Sequence, residues 1–307
     1  MTTDDDNAAS FGRSVNLGSC IYGIPIKAHW SFFALLGVVM LSGIIRFDPL
    51  YLALVFLLYG PILLITVIVH ELGHAITTKK LGGTVGGIVL WPLGGFAMCG
   101  PTSGGAREDF LVSLAGPLSH LPQMLFWLAL YVFTSGGDFV YFRNMFYISS
   151  LHDGAIGFFS TLFAQGFFLN VELLVFNLLI PAYPLDGGRC MASILIMCGV
   201  EIKRAAMATS FTAIVISSVL AVWGAVSTFV YDNTGGIFLV FVGLYIFAAS
   251  KLLLDLARQD RLQEHPLFGR ACYRQQAAPT ASGSSARAPG NVSSPTDPAS
   301  AEESDIL

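Results

Sequence analysis

Long apolar runs are the feature that most restricts how this chain can fold. Spanning the hydrocarbon core of a bilayer takes about 20 apolar residues in a helix, and six stretches of the sequence meet that length. Only 12% of the residues are charged, whereas soluble domains carry about 25%. The sequence therefore predicts an all-α polytopic membrane protein with about six transmembrane helices. Their predicted ranges are residues 28–46, 50–76, 108–134, 157–183, 205–230 and 235–257.

The distribution of lysine and arginine predicts the orientation of these helices, because both residues are retained on the cytoplasmic side of membranes. With the N-terminus inside, only Arg46 and Arg143 of the 16 lysines and arginines fall outside. We therefore expect a multi-pass protein of a prokaryotic plasma membrane with both termini in the cytoplasm.

The apolar pattern divides the chain into three regions. We expect residues 1–27 to be a cytoplasmic N-terminal segment, residues 28–258 a transmembrane domain, and residues 259–307 a cytoplasmic tail. From about residue 277 the tail is rich in Ala, Ser, Pro and Gly and cannot bury enough apolar surface to offset its ordering entropy, which predicts disorder. Residues 138–156 are mixed in character and predict an external loop, in which a short seventh element stays open.

The pattern H-E-x-x-H ends the second apolar run, in LLITVIVHELGHAITTKK at residues 63–80. In a helix, His70 and His74 project from one face. In this geometry two imidazoles can share a zinc ion while Glu71 acts on its water. A chance match, or two histidines satisfied by hydrogen bonds inside a helical bundle, is the alternative. Ionisable side chains are costly at membrane depth and are functional by default, which favours a metal site.

A catalytic zinc site has three protein ligands and one open position, so a third ligand must come from another part of the chain. The candidates at membrane depth are His120, Glu172 and Asp186. Asp186 lies in FNLLIPAYPLDGGR, where two prolines break the fourth helix and two glycines permit a tight turn. Such a break can return a carboxylate to the bundle. A helix stop followed by an N-cap aspartate is the alternative for this residue.

Two segments together, HELGH at residues 70–74 and NLLIPAYPLDGG at residues 177–188, resemble the site-2 protease family of intramembrane zinc metalloproteases. YGIPIKAHWSFFALL, LGGTVGGIVLWPLGGFAM and LAGPLSH are similar to segments of the same family, so the resemblance covers roughly residues 20–258. It implies one zinc ion per chain. By that resemblance the zinc ligands are His70, His74 and Asp186, and Glu71 is the general base.

The sequence departs from the family in two respects. Family members commonly carry an asparagine after the A-G-P-L segment, where this chain has His120. We expect His120 to be a polar packing or supporting group rather than a metal ligand. No PDZ domain or pair of CBS domains, which many relatives carry, is evident in the 307 residues, so an adaptor or an upstream site-1-type protease is a candidate partner.

Three more residues are candidates for contact with substrate or for support of the site. Asn177 lies shortly before the proline break and can donate to an oxyanion or to substrate backbone, or can cap neighbouring carbonyls. Gly94 and Gly95 belong to TVGGIVLWPLGGF, whose composition predicts a re-entrant or membrane-associated β-hairpin after the second helix. An exposed strand edge there can pair with an extended substrate. A cytoplasmic hairpin that only packs on the bundle is the alternative.

These observations favour an intramembrane zinc metalloendopeptidase that cleaves a transmembrane segment of a single-span membrane protein, in regulated intramembrane proteolysis. A transporter or channel with a buried metal site is the alternative, although the two related halves common in such folds are not evident. A net charge of −4 gives no argument for nucleic-acid binding. The five cysteines contain no C-x-x-C pair and are expected to be reduced packing residues.

Overall fold

The computed structural model describes residues 14–19, 21–45, 47–92, 94–138, 140, 151–231, 235–265 and 267–268. Its helices are α1 (Trp30–Ile45), α2 (Pro49–Leu57), α3 (Leu63–Lys80), α4 (Ala106–Leu118), α5 (His120–Ser135), α6 (Gly154–Leu174), α7 (Asp186–Met197), α8 (Ile202–Val230) and α9 (Gly235–Arg258). Its strands are β1 (Ser14–Ser19), β2 (Pro25–His29), β3 (Val85–Trp91) and β4 (Gly94–Cys99). The tail predicted to be disordered, and most of the predicted loop at 138–156, lie outside the described residues.

Four helical stretches of the described residues are long and apolar enough to cross a membrane. They correspond to the second, fourth, fifth and sixth predicted spans. The first predicted span becomes the 16-residue helix α1, whose apolar part, Trp30–Leu41, is shorter than a full crossing. The count of six spans therefore stays a prediction. The four stretches are Pro49–Lys80, Gly154–Leu179, Ile202–Val230 and Gly235–Arg258.

The third predicted span, residues 108–134, is interrupted in the structure. Helix α4 ends at Leu118 and α5 begins at His120. Pro117 lacks an N–H group and its ring crowds the preceding turn, and α4 ends one residue after it. The interruption puts His120 at the first position of α5, where it is fully buried.

Two π-helical turns lie within the long helical stretches. Leu58–Ile62 joins α2 to α3 and contains Pro61, and Val175–Leu179 follows α6 and contains Asn177. Proline removes a backbone hydrogen bond from a helix, which accounts for the wider turn at the first position. π-helical turns are frequent at functional sites. The second one ends where the helix is interrupted, at the non-helical residues 180–185 before α7.

The four strands form one sheet in the order β1-β2-β3-β4. β3 and β4 are the predicted hairpin, and they pair antiparallel with Leu90 opposite Gly95. The strands β1 and β2 were not predicted. They pair antiparallel with each other, and β2 joins β3 in parallel, so the N-terminal segment is part of the sheet. β4 lies at one end of this strand order.

One face of the sheet packs on α3. The buried side chains of Ile26, Ile88 and Leu90 contact those of Val67 and Leu72. Within a bilayer such apolar packing stabilises by van der Waals contact, since lipid is as apolar as the side chains. The packing fixes β3 and β4 against the helix that carries the H-E-x-x-H motif.

Helices α8 and α9 pack closely through small residues. A Cβ atom added to Gly224 would lie 2.6 Å from the carbonyl oxygen of Gly236, and one added to Gly243 would lie 2.8 Å from that of Ser217. Small residues allow helix backbones to approach in a membrane. On α8 a stripe of large apolar side chains at a spacing of four residues is exposed, as expected for a surface that faces lipid. The stripe is formed by Phe211, Val215, Val219 and Trp223.

Candidate metal centre

The two histidines of the H-E-x-x-H motif lie on one face of α3. His70 and His74 are 6% and 4% exposed, and their Nε2 atoms are 3.2 Å apart. Helical spacing of four residues produces this proximity, because it places the second side chain one turn above the first. Two buried imidazole nitrogens therefore point to one place.

Asp186, the first residue of α7, brings a carboxylate to the same place. Its Oδ2 atom lies 3.1 Å from Nε2 of His70 and 3.2 Å from Nε2 of His74. The approach depends on Gly187 and Gly188. A Cβ atom added to Gly187 would lie 2.4 Å from the carbonyl oxygen of Ile180, and one added to Gly188 would lie 2.4 Å from the carbonyl carbon of Ala182. The two glycines thus allow the first turn of α7 to pack against the non-helical segment at residues 180–185.

The hydrogen bonds of the ring Nδ1 atoms determine which nitrogen of each histidine can bind a metal. Nδ1 of His74 lies 2.7 Å from the carbonyl oxygen of Val112. A carbonyl oxygen can only accept, so Nδ1 donates its proton and Nε2 keeps a lone pair. Nδ1 of His70 lies 3.0 Å from Nε2 of His120, so its Nε2 also faces the shared point.

The three donors fit a zinc ion. The two imidazole nitrogens and one carboxylate oxygen lie within 4.8 Å of one another, and all three residues are buried. Ligand atoms about 2.1 Å from a tetrahedral zinc ion are about 3.4 Å apart. The observed separations of 3.1 to 3.2 Å between Nε2 and Oδ2 atoms are close to that spacing. Arg189 Nη1 lies 3.5 Å from the other carboxylate oxygen of Asp186.

Two glycines bring α3 and α4 into contact at this point. A Cβ atom on Gly116 would lie 2.2 Å from Nε2 of His74 and 2.9 Å from Nε2 of His70, and a Cβ atom on Gly73 would lie 2.6 Å from the carbonyl oxygen of Ala115. Nothing in the sequence alone singles out either glycine. LAGPLSH contains Gly116, but only the helix crossing shows that the histidines fill the space beside it.

Glu71 lies against the β4 strand. Its Oε2 atom accepts a hydrogen bond of 2.8 Å from the N–H group of Ala97. Gly95 adjoins the same carboxylate, because an added Cβ there would be 2.4 Å from Cγ and 2.7 Å from Oε1 of Glu71. The predicted hairpin therefore packs directly on the glutamate of the motif.

A cavity of about 530 Å³ connects these groups. His70, Glu71, His74 and Asp186 line it. The four candidates for substrate contact or support, namely His120, Asn177, Gly94 and Gly95, line it as well. Glu172, the remaining candidate ligand, is exposed and is not among the lining residues. Further lining residues that the sequence analysis did not name include Trp91, Tyr183, Arg189, Tyr245 and Leu267.

The pattern of peptidase family M50 matches residues 59–222, slightly more than half of the chain. The chain belongs to peptidase family M50. The matched range contains the H-E-x-x-H helix, the interrupted α4–α5 pair and the segment that carries Asp186.

Curated relatives and a solved structure agree with this membership. The chain is 28% identical over 260 residues to Rip3 of Mycobacterium tuberculosis, covering 81% of this chain and 59% of that protein. It is 33% identical over 177 residues to zinc metalloprotease MJ0392 of Methanocaldococcus jannaschii, covering 57% and 44% of the two chains. The chain thus spans less than two thirds of the length of these relatives, which are named as zinc metalloproteases, putatively in the case of Rip3.

The structure is similar to that of the site-2 protease from Methanocaldococcus jannaschii. The TM-score is 0.52 and the sequence identity 24%, over 79% of this chain and 95% of the other. The likeness shows that the M50 chain has the site-2 protease fold.

Proposed function

We propose that this M50 protein is an intramembrane zinc metalloendopeptidase. In this proposal His70, His74 and Asp186 hold the zinc ion and Glu71 is the general base. The convergence of three buried donor atoms, two of them from positions 116 residues apart in the chain, is the observation that carries the proposal. The nearby glutamate and the cavity that both groups line support it.

The chemistry divides between the metal and Glu71. A bound zinc ion supplies Lewis acidity, which polarises a carbonyl group and makes hydroxide available near neutral pH. Glu71 accepts the proton of the attacking water and then donates it to the leaving amine. The Ala97 N–H group holds Oε2 of Glu71, so that Oε1 is the oxygen free to exchange the proton. Gly95 leaves space beside Oε1 because it has no side chain.

Asn177 is proposed to donate to the oxyanion or to the substrate backbone. It lies on the π-helical turn Val175–Leu179 and lines the cavity. Amide donors aimed at a developing oxyanion are typically worth 10²- to 10³-fold in rate, on the order of 3 kcal/mol. If Asn177 only caps neighbouring carbonyl groups, its replacement would lower the stability of the folded protein instead of the rate of cleavage.

The substrate is proposed to be a transmembrane segment that unwinds and pairs with β4. A helix hides its peptide bonds because its backbone hydrogen bonds are internal, so cleavage needs an extended segment. The Ala97 N–H group points away from β3, since it donates to Glu71. In an antiparallel strand alternate residues face the same edge, which puts Gly95 and Ala97 on the edge beside Glu71. Because Glu71 already accepts from the Ala97 N–H group, a strand added there would pair through Gly95 and the carbonyl group of Ala97, and it would pass the general base.

The test of the function compares Glu71→Gln and Asp186→Ala with the wild type in liposomes that contain a tagged single-span membrane protein. We expect Glu71→Gln to lose cleavage and keep stoichiometric zinc, because it removes the base but no ligand. Asp186→Ala is expected to lose both. Glu172→Gln is the matched control, since it removes an exposed carboxylate outside the cavity, and it should keep both. Cleavage by Glu71→Gln, or zinc flux without cleavage in the wild type, would contradict the proposal.

We also propose how the substrate of this cleavage arises and what the cleavage releases. A single-span protein released by an upstream site-1-type protease, or presented by an adaptor, would provide the segment to be cleaved, and cleavage would free a regulatory fragment. We propose that residues 28–258 form the protease domain.

A further inference from the structure

A series of buried side-chain hydrogen bonds leads from a backbone carbonyl to His70. Asn170 Nδ2 donates to the carbonyl oxygen of Gly166 at 2.9 Å. Asn170 Oδ1 lies 2.9 Å from Nδ1 of His120. Nε2 of His120 lies 3.0 Å from Nδ1 of His70. Both His120 and Asn170 are fully buried, so water does not compete for these groups.

The direction of every hydrogen bond in this series follows from its first member. The carbonyl oxygen of Gly166 can only accept, so the amide of Asn170 must present its NH₂ group to Gly166 and its oxygen to His120. The oxygen in turn accepts from Nδ1–H of His120. In the neutral imidazole the other nitrogen is then an acceptor, and it accepts from Nδ1–H of His70. The lone pair of His70 is left on Nε2, which faces Asp186 and His74.

We propose that His120 and Asn170 are positioning residues that hold His70 in the tautomer and orientation needed to bind the metal. The proposal rests on the zinc site proposed above and adds a role for two residues of α5 and α6. His120 supports His70 through its ring nitrogen. Asn170 acts through His120 and is not itself among the residues that line the cavity.

The two histidines of the motif are supported in different ways. His74 donates to a backbone carbonyl, that of Val112, and no substitution removes a backbone carbonyl. His70 depends on side chains from two other helices. Groups that hydrogen-bond to a metal-binding histidine typically change metal affinity by about 10- to 100-fold when they are removed. The support of His70 is therefore open to test by substitution.

The experiment measures zinc affinity of the purified full-length protein in detergent, by competition with a chelator, together with the visible spectrum of the cobalt-substituted protein. We expect Asn170→Leu and His120→Leu to raise the zinc dissociation constant by about 10- to 100-fold and to alter the cobalt spectrum. Asn170→Asp keeps an acceptor oxygen for His120 but loses the donor to Gly166, and it is expected to bind zinc more tightly than Asn170→Leu. Comparing the zinc affinities of the leucine and aspartate variants separates the effect of the acceptor oxygen from the effect of side-chain packing.

Ser160→Ala is the matched control. Ser160 is also a fully buried residue of α6, and its Oγ donates to Oγ1 of Thr134 on α5 at 3.2 Å. The change removes a buried hydrogen bond between the same two helices without touching the series, so zinc affinity should not change. Thermal unfolding of the metal-free variants reports any general loss of packing. If Asn170→Leu does not fold, His120→Gln and His120→Leu provide the same comparison, because glutamine keeps an acceptor oxygen.

The outcomes separate this inference from the proposed function. Wild-type affinity in both Asn170→Leu and His120→Leu would overturn it, as would equal losses in Ser160→Ala and Asn170→Leu. Failure of the zinc site itself has a different signature: the wild type would bind no zinc, or His70→Ala would bind zinc as tightly as the wild type.

Discussion

Gly116 shows how closely the metal centre is enclosed at the level of single residues. The missing side chain of this α4 residue leaves the space that the two imidazole rings of α3 occupy, and an added Cβ would lie 2.2 Å from Nε2 of His74. No real Cβ atom approaches a nitrogen so closely. A methyl group there must displace either a histidine ring or the helix α4.

We expect Gly116→Ala to lose stoichiometric zinc while the protein still inserts in the membrane, because the displaced imidazole nitrogens no longer meet Asp186. Overpacking a close contact typically costs about 1–3 kcal/mol, which the whole fold can tolerate more readily than the metal geometry can. Metal analysis of the purified variant measures the effect.

Gly37→Ala is the control for this substitution. Gly37 lies in α1, and an added Cβ there meets nothing within 4 Å, so the change only improves helix propensity. Zinc content equal to that of the wild type in both glycine variants would show that the rings can move aside without leaving the metal.

The sequence predicted the four principal residues of the site, and the structure brings His70, His74 and Asp186 together. Their roles as ligands stay predictions. Asn170 was not predicted, because a single asparagine in an apolar helix gives no sign of its partner, which lies 50 residues earlier in the chain. Gly116 was missed for the same reason. Its close contact with the histidines depends on how α3 and α4 cross, and the sequence of neither helix shows that crossing.

At the level of elements, the structure differs from the sequence-based expectation where averaging over a window hides a break. Averaged over a window, residues 108–134 are apolar, yet α4 and α5 are separate helices with Ser119 between them. The break gives His120 its position. The strands β1 and β2 are only six and five residues long, so neither a long apolar run nor a long alternation indicated them. Their partners are each other and β3.

The edge of β4 gives a prediction at this scale. Ala97→Pro removes the N–H group that donates a hydrogen bond to Oε2 of Glu71. Hydrogen bonds to charged groups are worth about 1.5–3 kcal/mol. We expect cleavage to fall by at least about tenfold while zinc stays bound, since no donor to the metal is altered. Cleavage of the tagged single-span protein in liposomes, with metal analysis alongside, provides the measurement.

Ala97→Val tests whether that loss comes from the N–H group or from a larger side chain. Valine keeps the N–H group and favours strands, so this variant should cleave at close to the wild-type rate. If the proline and valine variants lost activity equally, the hydrogen bond to Glu71 would not be the cause.

At the level of the whole molecule, the orientation predicted from lysine and arginine can be tested at the two ends of α8. Cys198 is exposed just before this helix, and Tyr231 is exposed just after it. By the positive-inside rule, the basic residues Lys203 and Arg204 predict that the first end lies in the cytoplasm. The two ends should therefore lie on opposite sides of the membrane.

We expect a membrane-impermeant maleimide to leave Cys198 unmodified in intact cells and to react with a cysteine placed at Tyr231. Each variant has a single cysteine: Cys20, Cys99, Cys190 and Cys272 are replaced by alanine in both, and Cys198 is also replaced in the Tyr231→Cys variant. Permeabilised cells serve as the control, in which both positions should react. The reverse labelling pattern would contradict the orientation that the lysines and arginines predict.

The position of β4 at one end of the strand order has a consequence for selectivity. A strand edge offers main-chain atoms only, so it discriminates poorly between one side chain and another. In hydrocarbon every unwound residue leaves an N–H and a C=O group to be satisfied, and an edge satisfies alternate residues. If substrates pair with this edge as proposed, the choice of target depends on how little free energy a segment needs to leave the helical state. Peptides cleaved by this protein would share glycines, prolines and polar breaks at varied positions, and aligning them would reveal no consensus motif.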